Sequence, residues 1–407
     1  MRSVEEHLAR CLERAAPLPP LELQLLDAQG CVLAEDIVAP WDLPNFDNAA
    51  MDGYAVHAAD VTGASTESPV VLPVDADIPA GRPALLALQP GSSMRIMTGA
   101  PLPVGCDAVV PVESTDAGIA QVRIVQPVGP GAHVRRAGDD VRRGDVVLRT
   151  GTRLGPAHIG LLAAVGRERL VCHPRPRVVV LATGSELVEP GTPLQPGQIS
   201  DSNSFSLTAA ARDAGAVAYR VGIIPDDPRA LLDAIEDQLI RADLVVTSGG
   251  VSAGAYDTVK EVLSRLGTVE FTKVAMQPGM PQGYGTIGPD QVPIFTLPGN
   301  PVSAYVSFEV FVRPAIRAMM AAEPLHRPQV RAVLEGSLRS PVGKRSYLRA
   351  QLVVEDGKYV VRPVAGQGSH QVGGLAAANA LVVVPEDVEE MGDGDTATVL
   401  VLERRLT

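Results

Sequence analysis

Aromatic residues are scarce: Phe, Trp and Tyr together make up 3% of the 407 residues, with a single Trp. The cores must therefore be built from Val, Leu, Ile and Ala. A hydrophobic share of 46% and a charged share of 20% describe a globular chain, not a disordered one. Cysteine is sparse too. Cys11, Cys31, Cys106 and Cys172 lie far apart with no CxxC pair, which argues against a disulfide scaffold and a zinc site and for thiols kept in a reducing compartment. Positive charge is in deficit: a formal charge of -12 and a pI near 5.1 argue against a nucleic-acid partner, whose phosphates need a basic surface. Small anionic substrates stay open, because they need only a local cluster of donors. No apolar run approaches the length of a membrane span. The opening MRSVEEHLARCLERAAPLPP lacks the apolar core of a signal peptide and carries Glu5, Glu6 and Glu13. Val4, Leu8, Cys11, Leu12 and Ala15 instead fall on one helical face, with Pro17 as the stop. A cytoplasmic protein is expected.

A chain of this length predicts two to four domains. From about 20 to 150, short β-like runs (VVLPV, SMRIM, DAVVPVE, AQVRIVQPV) alternate with Pro and Gly, and a helical stretch GPAHIGLLAAVG follows. The grammar then changes. RVVVLATG, AYRVGIIPD, DLVVTSGG and VPIFTLPGN read as buried strands. Between and after them, SNSFSLTAAARDAG, DPRALLDAIEDQLIRA, YDTVKEVLSRLG and PVSAYVSFEVFVRPAIRAMM read as helices. Four such alternations predict a doubly wound, mostly parallel sheet. Beyond HRP (326–328), short strands return, with a hairpin signal at Asp356-Gly357.

Ligands of an open α/β sheet bind beyond the carboxyl ends of the strands. Three strand ends carry glycine-bearing loops: ATGSEL, TSGGVSAGAYD and TLPGNPVSA. Glycine lets backbone N–H groups approach a ligand, and each loop runs into a helix N-terminus, which favours anions. Thr183, Gly184, Ser185, Ser248, Gly249, Gly250, Ser252, Pro298, Gly299, Asn300 and Pro301 are thus the candidates for holding a phosphate-bearing ligand. Glu186, Asp226 and Asp257 lie on the same edges. Together they would repel an anion unless a cation intervened, and Mg²⁺, which takes one or two carboxylates plus substrate phosphates, resolves that conflict. A second set of acids stands in FDNAAMDGYA, where Asp47 and Asp52 have no Lys or Arg between Trp41 and His57 to pair with.

MDGYA, RIMTGAPLP, RRAGDD, ATGSEL, SGGVSAGAYD, LPGNPVSAY and GQGSH, in this order along essentially the whole chain, resemble the molybdopterin molybdenumtransferases, the MoeA family that includes the gephyrin E domain. The resemblance implies a multidomain α/β and β fold. An elongated segmented domain (1–52 and 141–174) and a small β-rich domain (53–140) come with a doubly wound molybdopterin-binding domain (175–326) and a C-terminal β-barrel domain (327–407). It implies a homodimer whose clefts combine residues of both subunits. The reaction it implies is molybdenum insertion into adenylylated molybdopterin, with Mg²⁺-dependent release of AMP and molybdate as substrate. On the matching motifs, Asp52, Thr98, Asp140 and Glu186 take catalytic places, Asp140 rather than Asp139 filling the second acid's position. Asp226 and Asp257 match the metal-binding acids, Lys273 joins the substrate-binding set, and Arg349 and Ser369 match the oxyanion-binding pair.

The sequence departs from the family where two lysines are usual. Here KVAMQPGMPQ places Gln277 and Met280, neither of which supplies a cation. Ser185 and Ala255 also stand where acids or amides are common. The retained acids favour a working insertase. The missing lysines favour a gephyrin-like scaffold that keeps the dimer and binds a peptide of another protein near the C-terminal domain.

Overall fold

The computed structural model describes residues 1–81, 86–249 and 256–403, apart from the side chains of residues 256–258 and 260. The chain divides into two compact units: Met1–Glu22 with Gly30–Val32 and Val171–Thr407, and Leu23–Gln29 with Leu33–Leu170.

The larger unit contains the doubly wound layer. Its elements are β1 (Arg177–Thr183), α1 (Asn203–Ala214), β2 (Val217–Ile224), α2 (Pro228–Leu239), β3 (Leu244–Ser248), α3 (Tyr256–Leu266), β4 (Gly267–Lys273), β5 (Pro281–Ile287), β6 (Val292–Leu297) and α4 (Pro301–Ser307). The sheet order is β2-β1-β3-β6-β5-β4, parallel from β2 to β6 and antiparallel at the β5 and β4 edge. The expected strands β1, β3 and β6 form because their Val, Ile and Leu runs are buried on both faces, as parallel strands require, while the edge strand β2 is only partly covered. Helix ends follow local chemistry. Gly215 closes α1 in the left-handed region at φ 116°, and Asp227 caps α2 through the Ala230 N–H at 2.8 Å, with Pro228 in the first turn.

Two features depart from the simple alternation. The stretch 267–287 adds an antiparallel hairpin instead of another strand–helix unit. The segment after Asn300 is not one regular helix: a π turn, Phe308–Val312, separates α4 from the helix Arg313–Met319. Pro314 has no N–H and its ring crowds the carbonyl four residues back, so a widened turn relieves the conflict.

The N-terminal helix Val4–Leu12 begins with a reciprocal capping box between Ser3 and Glu6 and buries Val4, His7 and Cys11. The C-terminal strands Gln329–Leu334, Arg345–Glu355, Lys358–Pro363, Ala380–Val384 and Thr396–Val401 close on themselves as a five-stranded barrel. Leu334, Leu348, Leu352, Val361, Val382 and Val399 fill its interior. Asp356 and Gly357 form its two-residue hairpin, both at positive φ as that turn demands.

The smaller unit holds a five-stranded sheet ordered Ala108–Pro111, Gly53–Val56, Ser93–Ile96, Val70–Ile78, Gln121–Ile124. Gly53–Val56 is buried on both faces, with Tyr54 and Val56 in one core and Ala55 in another. Gly53 is dictated by approach: a Cβ there would lie 1.9 Å from the Val110 carbonyl oxygen. A short antiparallel ladder, Asn48–Ala49 with Val134–Arg135, brings the MDGYA and RRAGDD segments side by side. Among the described residues no helix is long and apolar enough to cross a membrane.

Candidate functional site

The strand order of the larger unit reverses at β1: β2 lies on one side of it and β3 on the other, which is where such sheets open a crevice. A cleft of about 730 Å³ sits there. Thr183 and Gly184 from β1, Ser248 and Gly249 from β3, and Pro298 to Pro301 from the loop after β6 all line it. Sequence reasoning therefore placed the three loops on one site. The closeness of β1 and β3 requires glycine at 249, where φ is +99° and a Cβ would fall 2.4 Å from the Thr183 carbonyl oxygen. Gly250 and Ser252 lie outside the described residues, as does the side chain of Asp257.

Glu186 and Asp226 both line the cleft. Asp226 is exposed and accepts the Ser185 N–H at 3.1 Å, while its own N–H reaches back to Ser185 Oγ at 3.4 Å. The backbone N–H of residue 185 thus holds the carboxylate of Asp226, and the serine hydroxyl holds its backbone. Among the described residues lining the cleft, three are acidic (Glu186, Asp201 and Asp226) and none is Lys or Arg. Asp201 was not singled out in the sequence. It is 2% exposed, accepts the Ser204 N–H at 3.0 Å and a hydrogen bond from the Ser204 hydroxyl, and pairs with Arg220 at 3.2 Å, so its charge is balanced inside the protein.

From the barrel side, His370 and Val372 complete the cleft. His370 ends the GQGSH loop, whose shape Arg349 sets, and Val372 begins the short helix Val372–Ala376 that follows. Arg349 is 1% exposed. It donates from Nη1 to the Gln371 carbonyl oxygen at 2.7 Å and from Nη2 to those of Gly366 and Gly368 at 2.7 and 3.1 Å. Burial lowers its pKa. The Ser369 carbonyl oxygen in turn accepts the Val302 N–H at 3.0 Å, docking the loop onto the start of α4. The two predicted oxyanion residues are therefore joined through one loop. His370 was inside a quoted motif, yet only the fold shows that it borders the cleft. Lys273 stands exposed at the end of β4 and does not line the cleft. Gln277 is exposed on a two-residue strand that pairs with the barrel at Ser346, and Met280 is half-buried beside Pro281, itself a lining residue.

In the smaller unit, Asp52 and Thr98 meet as a pair. The Thr98 N–H and hydroxyl donate to one carboxylate oxygen of Asp52 at 2.7 and 2.8 Å, and these bonds, the backbone one first, hold its pKa below the ordinary aspartate value. Asp140 is exposed, and its N–H is anchored on the Leu43 carbonyl oxygen at 2.9 Å. Asp47 has a different use. It takes the Ala137 N–H at 2.8 Å and Arg136 Nη1 at 2.6 Å, which lower its pKa in that order, so it organises the RRAGDD turn. Its missing cation comes from 89 residues downstream.

Three family descriptions match the chain: the MoeA N-terminal region (domain I and II) at residues 2–166, a probable molybdopterin binding domain at 179–318, and the MoeA C-terminal region (domain IV) at 331–402. Molybdopterin molybdenumtransferase 2 of Mycobacterium tuberculosis is 51% identical over 97% of this chain and 98% of its own length. Molybdopterin molybdenumtransferase 1 of that species is 45% identical over 99% of both, and the Haemophilus influenzae molybdopterin molybdenumtransferase is 35% identical over 98% of both. Among solved structures, a molybdopterin biosynthesis MoeA protein from Pyrococcus superposes with a TM-score of 0.76 at 33% identity, covering 97% of this chain and 98% of that one. With all three regions matched and relatives of this identity along nearly its whole length, the chain belongs to the MoeA family of molybdopterin molybdenumtransferases.

Proposed function

We propose that this transferase of molybdenum cofactor biosynthesis inserts molybdenum from molybdate into adenylylated molybdopterin, with Mg²⁺-dependent release of AMP. The observation that carries the reading is the cleft at the strand reversal, where three glycine-bearing loops, two accessible carboxylates and the loop held by Arg349 converge. In this reading the backbone N–H groups around Gly184, Gly249 and Gly299 hold the substrate's phosphates, which suits a cleft that offers no lysine or arginine among its described lining.

The donor set fits Mg²⁺. Asp226 has one oxygen occupied by the Ser185 N–H and the other available, and Glu186 stands in the same cleft. Such an ion takes one or two carboxylates and is completed by substrate phosphates and water. Asp226 and Asp257 would hold it, as the family resemblance implies, with Glu186 in the same cleft as Asp226. When bound, the ion neutralises charge on the phosphates as the adenylate is cleaved. Ser369 offers a hydroxyl to the oxyanion, and Arg349 places positive charge in the same loop. Asp52, Thr98 and Asp140 act from the smaller unit of a partner subunit in a homodimer, as the family resemblance implies.

The test is AMP release from adenylylated molybdopterin with Mg²⁺ and graded molybdate. Release that depends on Mg²⁺ and yields metal-loaded pterin is expected. A dimer that binds the adenylylated pterin but releases no AMP at any molybdate concentration would transfer the reading to a scaffold that engages a peptide of another protein.

A further inference from the structure

Asn203 opens α1 on the floor of the cleft, and no family motif quoted above includes it. Its side-chain amide makes two hydrogen bonds of unusual placement. Nδ2 donates to Ser248 Oγ at 2.7 Å and to the Gly299 carbonyl oxygen at 2.7 Å. The first acceptor ends β3 and the second belongs to the loop after β6, so one amide ties together two of the three loops that line the cleft. The orientation of the amide is forced: a flip would aim Oδ1 at the Gly299 carbonyl, an acceptor against an acceptor. Oδ1 is left buried without a partner. Leaving a buried acceptor unpaired is destabilising, and the two donor bonds must offset it.

The two bonds have directional consequences. Because the peptide unit is planar and trans, pulling the Gly299 carbonyl toward Asn203 turns the Asn300 N–H the opposite way. Accepting from Asn203 leaves the Ser248 hydroxyl hydrogen to point elsewhere, and among the described residues it meets the Pro298 carbonyl oxygen at 3.5 Å, a weak acceptor. A donor of β3 and a donor of the loop after β6 are thus both oriented by a residue that belongs to neither element.

We propose that Asn203 is a positioning residue that locks the β3 and β6 loops into a single cradle for the phosphate groups of the ligand. The proposal rests on the cleft being the site for adenylylated molybdopterin, so its test has one arm that needs that ligand and one that does not. In the first, Asn203→Ala in the full-length protein should lower affinity for adenylylated molybdopterin by about tenfold or more, as loss of a directed donor set predicts, while the unfolding midpoint of the free protein stays near that of the parent. Ser248→Ala, which removes one acceptor and leaves Asn203 in place, should give a smaller loss. In the second arm, amide hydrogen exchange on the free proteins should quicken in Asn203→Ala at both 248–249 and 299–302, and in Ser248→Ala chiefly at the former. If Asn203→Ala fails to fold, the Ser248→Ala exchange pattern decides alone. Unchanged exchange in both loops, or parent-like affinity in a folded variant, overturns the proposal. A parent protein that does not bind the adenylylated pterin overturns the function proposed for the cleft and leaves the exchange arm to judge Asn203.

Discussion

At the residue scale, what was legible in the sequence was chemistry with a fixed local geometry. Gly249 sits where a strand end must approach its neighbour, and Asp226, Glu186 and the loop residues line one cleft. What was not legible depended on partners far along the chain. Asp47 looked unpaired because Arg136 lies 89 residues away, and Asn203 read only as part of a helical stretch because its acceptors, Ser248 and Gly299, are 45 and 96 residues away. The departure at Gln277 and Met280 can be tested on this basis. Met280 adjoins Pro281, which lines a cleft whose described lining has no Lys or Arg, and Gln277 lies on the short strand just before it, so their neutrality should raise the molybdate requirement. Restoring a charge-assisted contact is worth roughly 1.5–3 kcal/mol, or about one to two decades in affinity. The double change Gln277→Lys, Met280→Lys is therefore expected to lower the molybdate concentration for half-maximal insertion by about tenfold or more, with little change in affinity for the adenylylated pterin. Titration of metal insertion against molybdate checks it; an unchanged midpoint would show that Ser369 and Arg349 suffice.

At the scale of elements, periodicity revealed strands and helices whose burial is uniform and missed those whose packing is local. The hairpin of β4 and β5 was obscured by its glycines, residues that weaken a strand pattern. The fold shows why they are there: a Cβ on Gly283 would lie 2.9 Å from Phe271 Cε1, so the ring of one strand occupies the space over the next. The N-terminal helix was expected, but not the imidazole it buries. His7 is 1% exposed, meets the Phe311 ring edge-on at 4.7 Å, and leaves Nδ1 without a partner. Burial first, then the nearby Arg2, lowers its pKa to about 4, against an attraction from Glu270. Between about 6.5 and about 4 the unfolded chain binds a proton that the folded chain refuses, so stability is intact above that window and falls as the pH drops through it. The full effect is about 3 kcal/mol. His7→Leu, of similar bulk and without a proton site, should flatten the decline of the unfolding midpoint between pH 7 and pH 4.5. Denaturant unfolding of both proteins across that range measures it, and parallel curves would show that other groups carry the acid sensitivity.

At the scale of the whole molecule, the acids fall into two sets on separate units of one chain: Asp52 with Thr98, and Asp140, on the smaller; Glu186 and Asp226 on the larger. The proposed reaction needs both sets at one ligand, and in the proposed homodimer each site takes one set from each subunit. That arrangement has a consequence no single-chain site shares. Asp52→Ala and Asp226→Ala should each abolish Mg²⁺-dependent AMP release while leaving the dimer folded, because both side chains are exposed. When the two inactive proteins are unfolded together, mixed and refolded, half of the dimers are mixed. In each mixed dimer one site collects both lesions and the other collects none, so two-fold symmetry predicts recovery of about a quarter of the parental rate. Sites built within one chain predict no recovery at any mixing ratio, since every site would then carry one lesion. Light scattering on the same samples fixes the population of dimers, twice the 42.6 kDa chain, to which the recovered rate is referred. Recovery near a quarter supports the shared site, and a rate that stays at zero in a fully dimeric mixture rejects it.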